Sequence, residues 1–172
     1  AYDPDIVCLQ ESPKREEIEK VAAEIFGADV GLFIAPDCSI IARGSVLPER
    51  TPEDMHLVRA RVLTASGLDV QVIATHFYSV PYNFALWQGE AWLAQANRRQ
   101  DHREQMGRIV TQLNEIAPET PIVLAGDFNA PAGDAVFRLL RPRMRDAFEE
   151  AGIGWPNTIF NDKPLARIDQ IW

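Results

Sequence analysis

Apolar positions along this chain come in short runs, broken by polar, Gly- or Pro-marked segments, and the runs follow two spacings. "DIVCLQ" (5–10) is a continuous run of strand length that stops at Glu11, and it predicts a buried strand. "SPKREEIEKVAAEIFG" follows with helical spacing, which puts Ile18, Val21, Ala22, Ile25 and Phe26 on one face. Ser12 can cap that helix, Pro13 suits its first turn and Gly27 can close it. "VGLFIA" and "SIIAR" predict strands on either side of a Pro36–Asp37 turn, and "HLVRARVLTA" and "LDVQVIATHF" a hairpin around Ser66–Gly67. Asn83 to Ala117 is helical in pattern but long for one helix, so two are expected, with a break between Asn97 and Asp101. Pro118 and Pro121 bracket a turn into the strand "IVLAG"; "DAVFRLL" and "DAFEEAG" read as short helices, "NTIF" and "ARIDQIW" as strands.

Several strands end in a polar group at the point where the apolar pattern stops: Glu11, His76, Asp127 with Asn129, and Asp169. A sheet whose neighbouring strands converge at one edge would gather these groups. "IVLAGDFNAPAGD" is the most telling case. A turn needs Asp or Asn somewhere, but gives no reason for both to follow so apolar a strand. Phosphoester hydrolysis gives one: Asp127 can take a proton from and orient a water, while Asn129 donates to a phosphoryl oxygen or helps hold an ion. Glu11 reads either as a solvated residue before a helix or as a hard oxygen ligand for Mg²⁺. His76 reads either as a half-exposed strand-end histidine or as a donor to a phosphoryl oxygen or leaving group. Asp169, inside an apolar strand, needs a partner: a histidine, a cation, or Arg167 as a plain salt bridge. His56 and His102 lie in polar segments and read as surface residues. The aromatic stretch "FYSVPYNFALWQGEAW" could stack on a base or meet a lipid, or Phe84, Leu86 and Trp87 could simply pack a core.

Composition narrows the chemistry. The 172 residues make about one ordinary domain, and 47% hydrophobic with 24% charged residues marks a globular chain. A formal charge of −8 disfavours a broad electrostatic grip on nucleic acid, although bridging cations can reverse a local field. No apolar run approaches the roughly 20 residues of a membrane-spanning helix. Cys8 and Cys38 form no CxxC, and Cys8 reads as core. GxSxG, HExxH, a Walker loop and GxGxxG are all missing, and Pro131 and Ala132 break an EF-hand reading. Ala1 in place of an initiator Met, and an apolar run stopping at Trp172, lead us to expect a fragment of a longer protein.

The ordered set "DIVCLQE", "VIATHF", "IVLAGDFNA" and "RIDQIW" resembles the successive motifs of the endonuclease/exonuclease/phosphatase superfamily, over essentially the whole chain. The resemblance implies a deoxyribonuclease I-like fold: an α+β, four-layer α/β/β/α sandwich, two mixed β-sheets packed face to face with helices outside. Residues 1–172 would then form one such domain, without the family's first and last strands. It implies a metal role for Glu11 and catalytic roles for His76, Asp127 and Asn129. Asp169 would partner a C-terminal histidine, and Arg59 stands where the family has a phosphate-side arginine. The implied activity is hydrolysis of a phosphodiester or phosphomonoester by an Asp-oriented water, with Mg²⁺ or Mn²⁺ as cofactor. The substrate would be nucleic acid, a small phosphoester or a lipid-linked phosphate, and the protein a monomer. The alternative is a catalytically inactive member that serves as a binding scaffold.

Overall fold

The computed structural model describes residues 3–27, 30–49, 56–79, 89–159 and 165–172, with the backbone alone at 91 and 92. The chain forms two compact units: residues 1–76 with 118–127 and 171–172, and residues 77–117 with 128–170.

In the first unit, the long strand β3 (Cys38–Pro48) organises the rest. Its first half pairs antiparallel with β1 (Ile6–Gln10) and β2 (Val30–Ile34), its second half with β4 (Leu57–Thr64). The strand changes partners at Gly44, where φ is 131° and a Cβ would lie 2.2 Å from the Leu63 carbonyl oxygen. Only glycine fits that position. β4 continues into β5 (Asp69–His76) through the expected Ser66–Gly67 turn, and β5 runs parallel to β6 (Ile122–Asp127). Trp172 and Leu124 exchange both backbone bonds, 2.9 and 2.8 Å, on the far side of β6.

Alternation along these strands makes the core. Cys38, Ile40 and Ala42 from β3 pack against Val58, Ala60 and Val62 of β4 and Val70, Val72 and Ala74 of β5, with Ile6 and Cys8 of β1 alongside. Residues from both halves of β3's ladder therefore meet face to face, as in a sandwich. Burial pushes the Cys8 thiol up to about 12, so it behaves as an apolar core group. On the opposite face of β1–β3, Ile41, Val7, Leu9 and Leu32 receive Ile18, Ala22 and Phe26 of α1 (Arg15–Phe26).

Two details of α1 depart from expectation. Val21 and Ile25 are exposed, so the apolar stripe is narrower than the spacing suggested. Lys14, not Ser12, is the N-cap residue and makes no side-chain cap; Ser12 Oγ lies 2.8 Å from Ser39 Oγ instead. Gly27 closes the helix as expected, at φ 72°.

The second unit is built on α2 (Gly89–Glu115), one unbroken helix of 27 residues, so the expected break between Asn97 and Asp101 is absent. That stretch holds no Gly or Pro, and its polar residues form supporting pairs along the helix: Arg98 with Asp101 at 3.1 Å and Gln100 with Glu104 at 3.2 Å. Asn83 to Gln88 lie outside the described residues, including Phe84, Leu86 and Trp87 of the aromatic stretch. Arg143 donates to the Leu113, Ile116 and Ala117 carbonyls, satisfying the helix C-terminus. "DAVFRLL" forms a 3₁₀ turn (Ala135–Leu139) and "DAFEEAG" forms α3 (Ala147–Ala151), capped by the Asp134 and Asp146 carboxylates respectively. The "NTIF" strand is absent over residues 157–159, and Phe160 lies outside the described residues. The last strand shrinks to β7 (Asp169–Ile171). Among the described residues no helix is long and apolar enough to cross a membrane.

Candidate active site

One end of the first unit collects polar side chains from four strand ends. His76 and Asp127 are register partners at the C-terminal ends of the parallel pair β5–β6. Both lie two residues beyond interior positions, Ala74 and Ala125, so both project from the interior face just where the core stops. Each is half-buried. Asp37, in the β2–β3 turn, reaches His76 from the other ladder: its two carboxylate oxygens lie 3.1 and 3.0 Å from His76 Nδ1. The same Asp37 Oδ2 lies 2.6 Å from His56 Nδ1, and the buried Cys38 thiol donates to it at 3.9 Å.

Backbone bonds hold this cluster. His56 precedes β4 and sits opposite His76, because the His76 N–H donates to the His56 carbonyl at 2.9 Å. Thr75 Oγ1 donates to the same carbonyl at 3.1 Å. On the other ladder, the Ser12 N–H donates to the Asp37 carbonyl at 3.1 Å, which ties the end of β1 to the turn. Glu11 is the residue between that bond and β1. It is exposed, and its carboxylate makes no hydrogen bond or ion pair among the described residues.

Backbone strain marks two of the expected site residues. Among the described residues, Glu11 (φ 50°) and Asn129 (φ 45°) are the non-glycine positions in left-handed backbone. Such geometry costs about 1–3 kcal/mol and concentrates where side-chain placement matters more than stability. Gly126 is equally constrained, since a Cβ there would lie 1.9 Å from the Thr75 carbonyl oxygen. The glycine lets β6 approach β5 one residue before Asp127.

In the second unit, Asn129 is half-buried and its Nδ2 donates to the Phe77 carbonyl at 2.8 Å. Phe77 and Phe128 pack edge-on at 5.2 Å, so the residues following His76 and Asp127 share one apolar anchor. Asp169 departs from expectation. Its carboxylate is exposed and unpartnered among the described residues, because β7 alternates with Gln170 inward and Asp169 outward. The salt bridge to Arg167, one of the three partners considered for Asp169, does not form. Arg167 instead makes a bidentate, buried pair with Asp146, Nη1 to Oδ1 at 2.7 Å and Nη2 to Oδ2, and stacks on Phe148 at 5.2 Å.

Arg59 has a partner within the sheet, and the two histidines expected on the surface are not there. Arg59 is buried on β4 with its Nε 2.9 Å from Glu49 Oε2, a carboxylate that also accepts from Gln71 at 2.6 Å. Its charge is neutralised within the sheet. His102, expected on the surface, is buried against Phe77 and lies 2.8 Å from the Tyr78 carbonyl through Nε2. His56, also expected on the surface, is the second imidazole on Asp37. The sequence carried a faint signal for it: antiparallel pairing of "HLVRARVLTA" with "LDVQVIATHF" opposes the first residue of one to His76 in the other.

The donor chemistry suits a hard divalent cation. The exposed Glu11 carboxylate, without a hydrogen-bond or ion-pair partner among the described residues, is a hard oxygen donor of the kind Mg²⁺ prefers. The profile of the Endonuclease/Exonuclease/phosphatase family matches residues 1–172, and the chain belongs to that family. It is accordingly a hydrolase acting on phosphoester bonds. No curated protein sequence matches it significantly.

Solved structures give the same fold, the deoxyribonuclease I-like α+β sandwich. The similar chains include Danio rerio TDP2 complexed with a single-strand DNA product, at 18% identity and TM-score 0.61 over 98% of this chain and 70% of that one. The human Nocturnin catalytic domain with bound sulfate has 16% identity and TM-score 0.61, covering 98% and 68%. Sphingomyelinase C from Streptomyces griseocarneus has 16% identity and TM-score 0.61, covering 97% and 70%.

Proposed function

We propose that this protein hydrolyses a compact phosphodiester with a divalent metal ion held by Glu11, and with His76 and Asp127 acting on the phosphoryl group and the attacking water. The observation that carries the reading is the in-register placement of His76 beside Asp127, with Asp37 bonded to Nδ1 of the imidazole ring. When bound, Mg²⁺ or Mn²⁺ would supply polarisation of the phosphoryl group and offset charge on the leaving oxygen. Asp127 accepts a proton from the attacking water and fixes its direction. Asn129 Nδ2 donates to the Phe77 carbonyl, which fixes the orientation of the amide. His76 donates its Nδ1–H to Asp37, and on taking a second proton from water at Nε2 it can donate that proton to a phosphoryl or leaving oxygen. Asp37 stabilises the imidazolium form as that oxygen gains charge. Asp169, exposed on β7, is available to orient an additional acid–base group.

The charge of −8 favours a compact substrate over a long polyanion, whose binding depends on many cationic contacts. The test is hydrolysis of bis(p-nitrophenyl) phosphate by protein stripped with EDTA and titrated with Mg²⁺ or Mn²⁺, alongside duplex DNA and sphingomyelin vesicles. Metal-restored turnover of the small diester supports the reading. A protein that binds metal yet turns over none of the three is a scaffold.

A further inference from the structure

The cluster around Asp37 holds one imidazole more than hydrolysis uses. Orienting His76 requires one carboxylate; here the same carboxylate oxygen is also 2.6 Å from His56 Nδ1. One nitrogen from each ring and one oxygen from Asp37 all lie within 4.8 Å of one another. The rings are inclined at 71° with centroids 6.1 Å apart, so they do not stack, and their Nδ1 atoms converge on one carboxylate. Three different strand ends supply the three groups, and each end is pinned by a backbone hydrogen bond. Such a frame holds ligand geometry better than a free loop does.

Two imidazoles and one carboxylate form a donor set of a different kind from the all-oxygen set at Glu11. Mg²⁺ prefers carboxylates and retained waters, whereas imidazole nitrogen suits Zn²⁺ and its transition-metal neighbours. We propose that Asp37, His56 and His76 bind one Zn²⁺-class ion, and that this ion inhibits the Mg²⁺-dependent reaction. The inhibitory part rests on the role given above to His76. An imidazole coordinated through Nδ1 carries its single proton on Nε2 and has no lone pair left for another. His76 would then be unable to form the imidazolium that the hydrolysis requires. The proton balance is simple: each neutral ring moves its proton from Nδ1 to Nε2 through water, and the carboxylate exchanges two N–H donors for the cation.

The experiment uses the full chain and Co²⁺ as a spectroscopic stand-in for Zn²⁺. Wild-type protein should bind one Co²⁺ with the visible absorption of an imidazole-ligated ion, and excess Mg²⁺ should not displace it. Long-range nitrogen–proton spectra of the wild type with Zn²⁺ should move the Nδ1 resonances of His56 and His76 and leave His102 in place. His56→Gln should weaken Co²⁺ and Zn²⁺ binding by at least about 10–100-fold and relieve Zn²⁺ inhibition, while hydrolysis in Mg²⁺ alone persists. Unmoved imidazole resonances, or Zn²⁺ inhibition equally strong in His56→Gln, would overturn the proposal. Co²⁺ binding at these rings in a protein without Mg²⁺-dependent turnover keeps the site and refutes the hydrolytic reading instead.

Discussion

His76 and Asp127 face one another in register at the ends of two parallel strands, and Asp37 is bonded to the ring of the first from the opposite ladder. Parallel pairing carries both strands to the same end of the sheet, so two residues 51 positions apart in sequence leave the core side by side. An Asp37→Asn substitution keeps the shape of this contact and removes its charge. We expect kcat on bis(p-nitrophenyl) phosphate to fall by about 10² with KM little changed, since the imidazolium loses its counter-charge only as the reaction proceeds. Steady-state kinetics check this; an equal rise in KM at constant kcat would assign Asp37 to substrate binding instead.

Glu11 sits in left-handed backbone without burying its side chain. Glycine adopts that conformation freely, whereas other L-residues are disfavoured there by about 1–2 kcal/mol. Glu11→Gly should therefore leave urea stability unchanged or raised by up to about 1 kcal/mol, the entropy of the added glycine offsetting part of the gain. The same variant should lose Mg²⁺-dependent hydrolysis. Retained activity would remove Glu11 from the metal site.

Gly126 is the tightest point of the β5–β6 approach. A methyl group there must push the strands apart, and Gly126→Ala should cost about 1–3 kcal/mol in denaturant unfolding. Activity should fall further than stability, because the shift separates His76 from Asp127.

The Asp146–Arg167 pair links the stability of the second unit to pH. Burial alone would push the Asp146 carboxyl up, but Arg167 and the backbone N–H groups of Glu149 and Phe148 outweigh it, and the net shift is downward. A carboxyl depressed in the folded state contributes stability that is present above its unfolded value near 3.9 and is lost as pH falls through the lower folded value. Arg167→Ala strands a buried carboxylate and should cost about 3–5 kcal/mol at neutral pH. Its unfolding free energy should also lose part of the acid dependence that the wild type shows. An Arg167→Ala protein with wild-type stability would contradict this.

Strands were the most legible part of the sequence, because those of the first unit are short apolar runs bounded by turns that carry Gly or Pro. The motif residues were legible wherever an apolar run stopped at a polar group, as at Glu11, His76 and Asp127. Asp37 was not, since a Pro–Asp pair between two strands is also what an ordinary turn looks like; only the facing ladder reveals its partners. His56 was hidden because its role depends on which residue stands opposite it. The break assigned within α2 came from reading a polar stretch as an interruption, when it is the helix's own ion-paired surface. Asp169 misled in the opposite sense: an apolar setting suggested burial, but the side-chain alternation of a three-residue strand turns it to solvent.

The central claim is that His76 and Asp127 act in one centre, and a double-mutant cycle tests it most directly. His76→Ala and Asp127→Ala should each lower kcat/KM for bis(p-nitrophenyl) phosphate in Mg²⁺ by about 10²–10³. The double variant should be scarcely worse than the poorer single one, because groups that serve one transition state lose their effect together. Losses that multiply fully, or single variants that hydrolyse at the wild-type rate, would contradict the account.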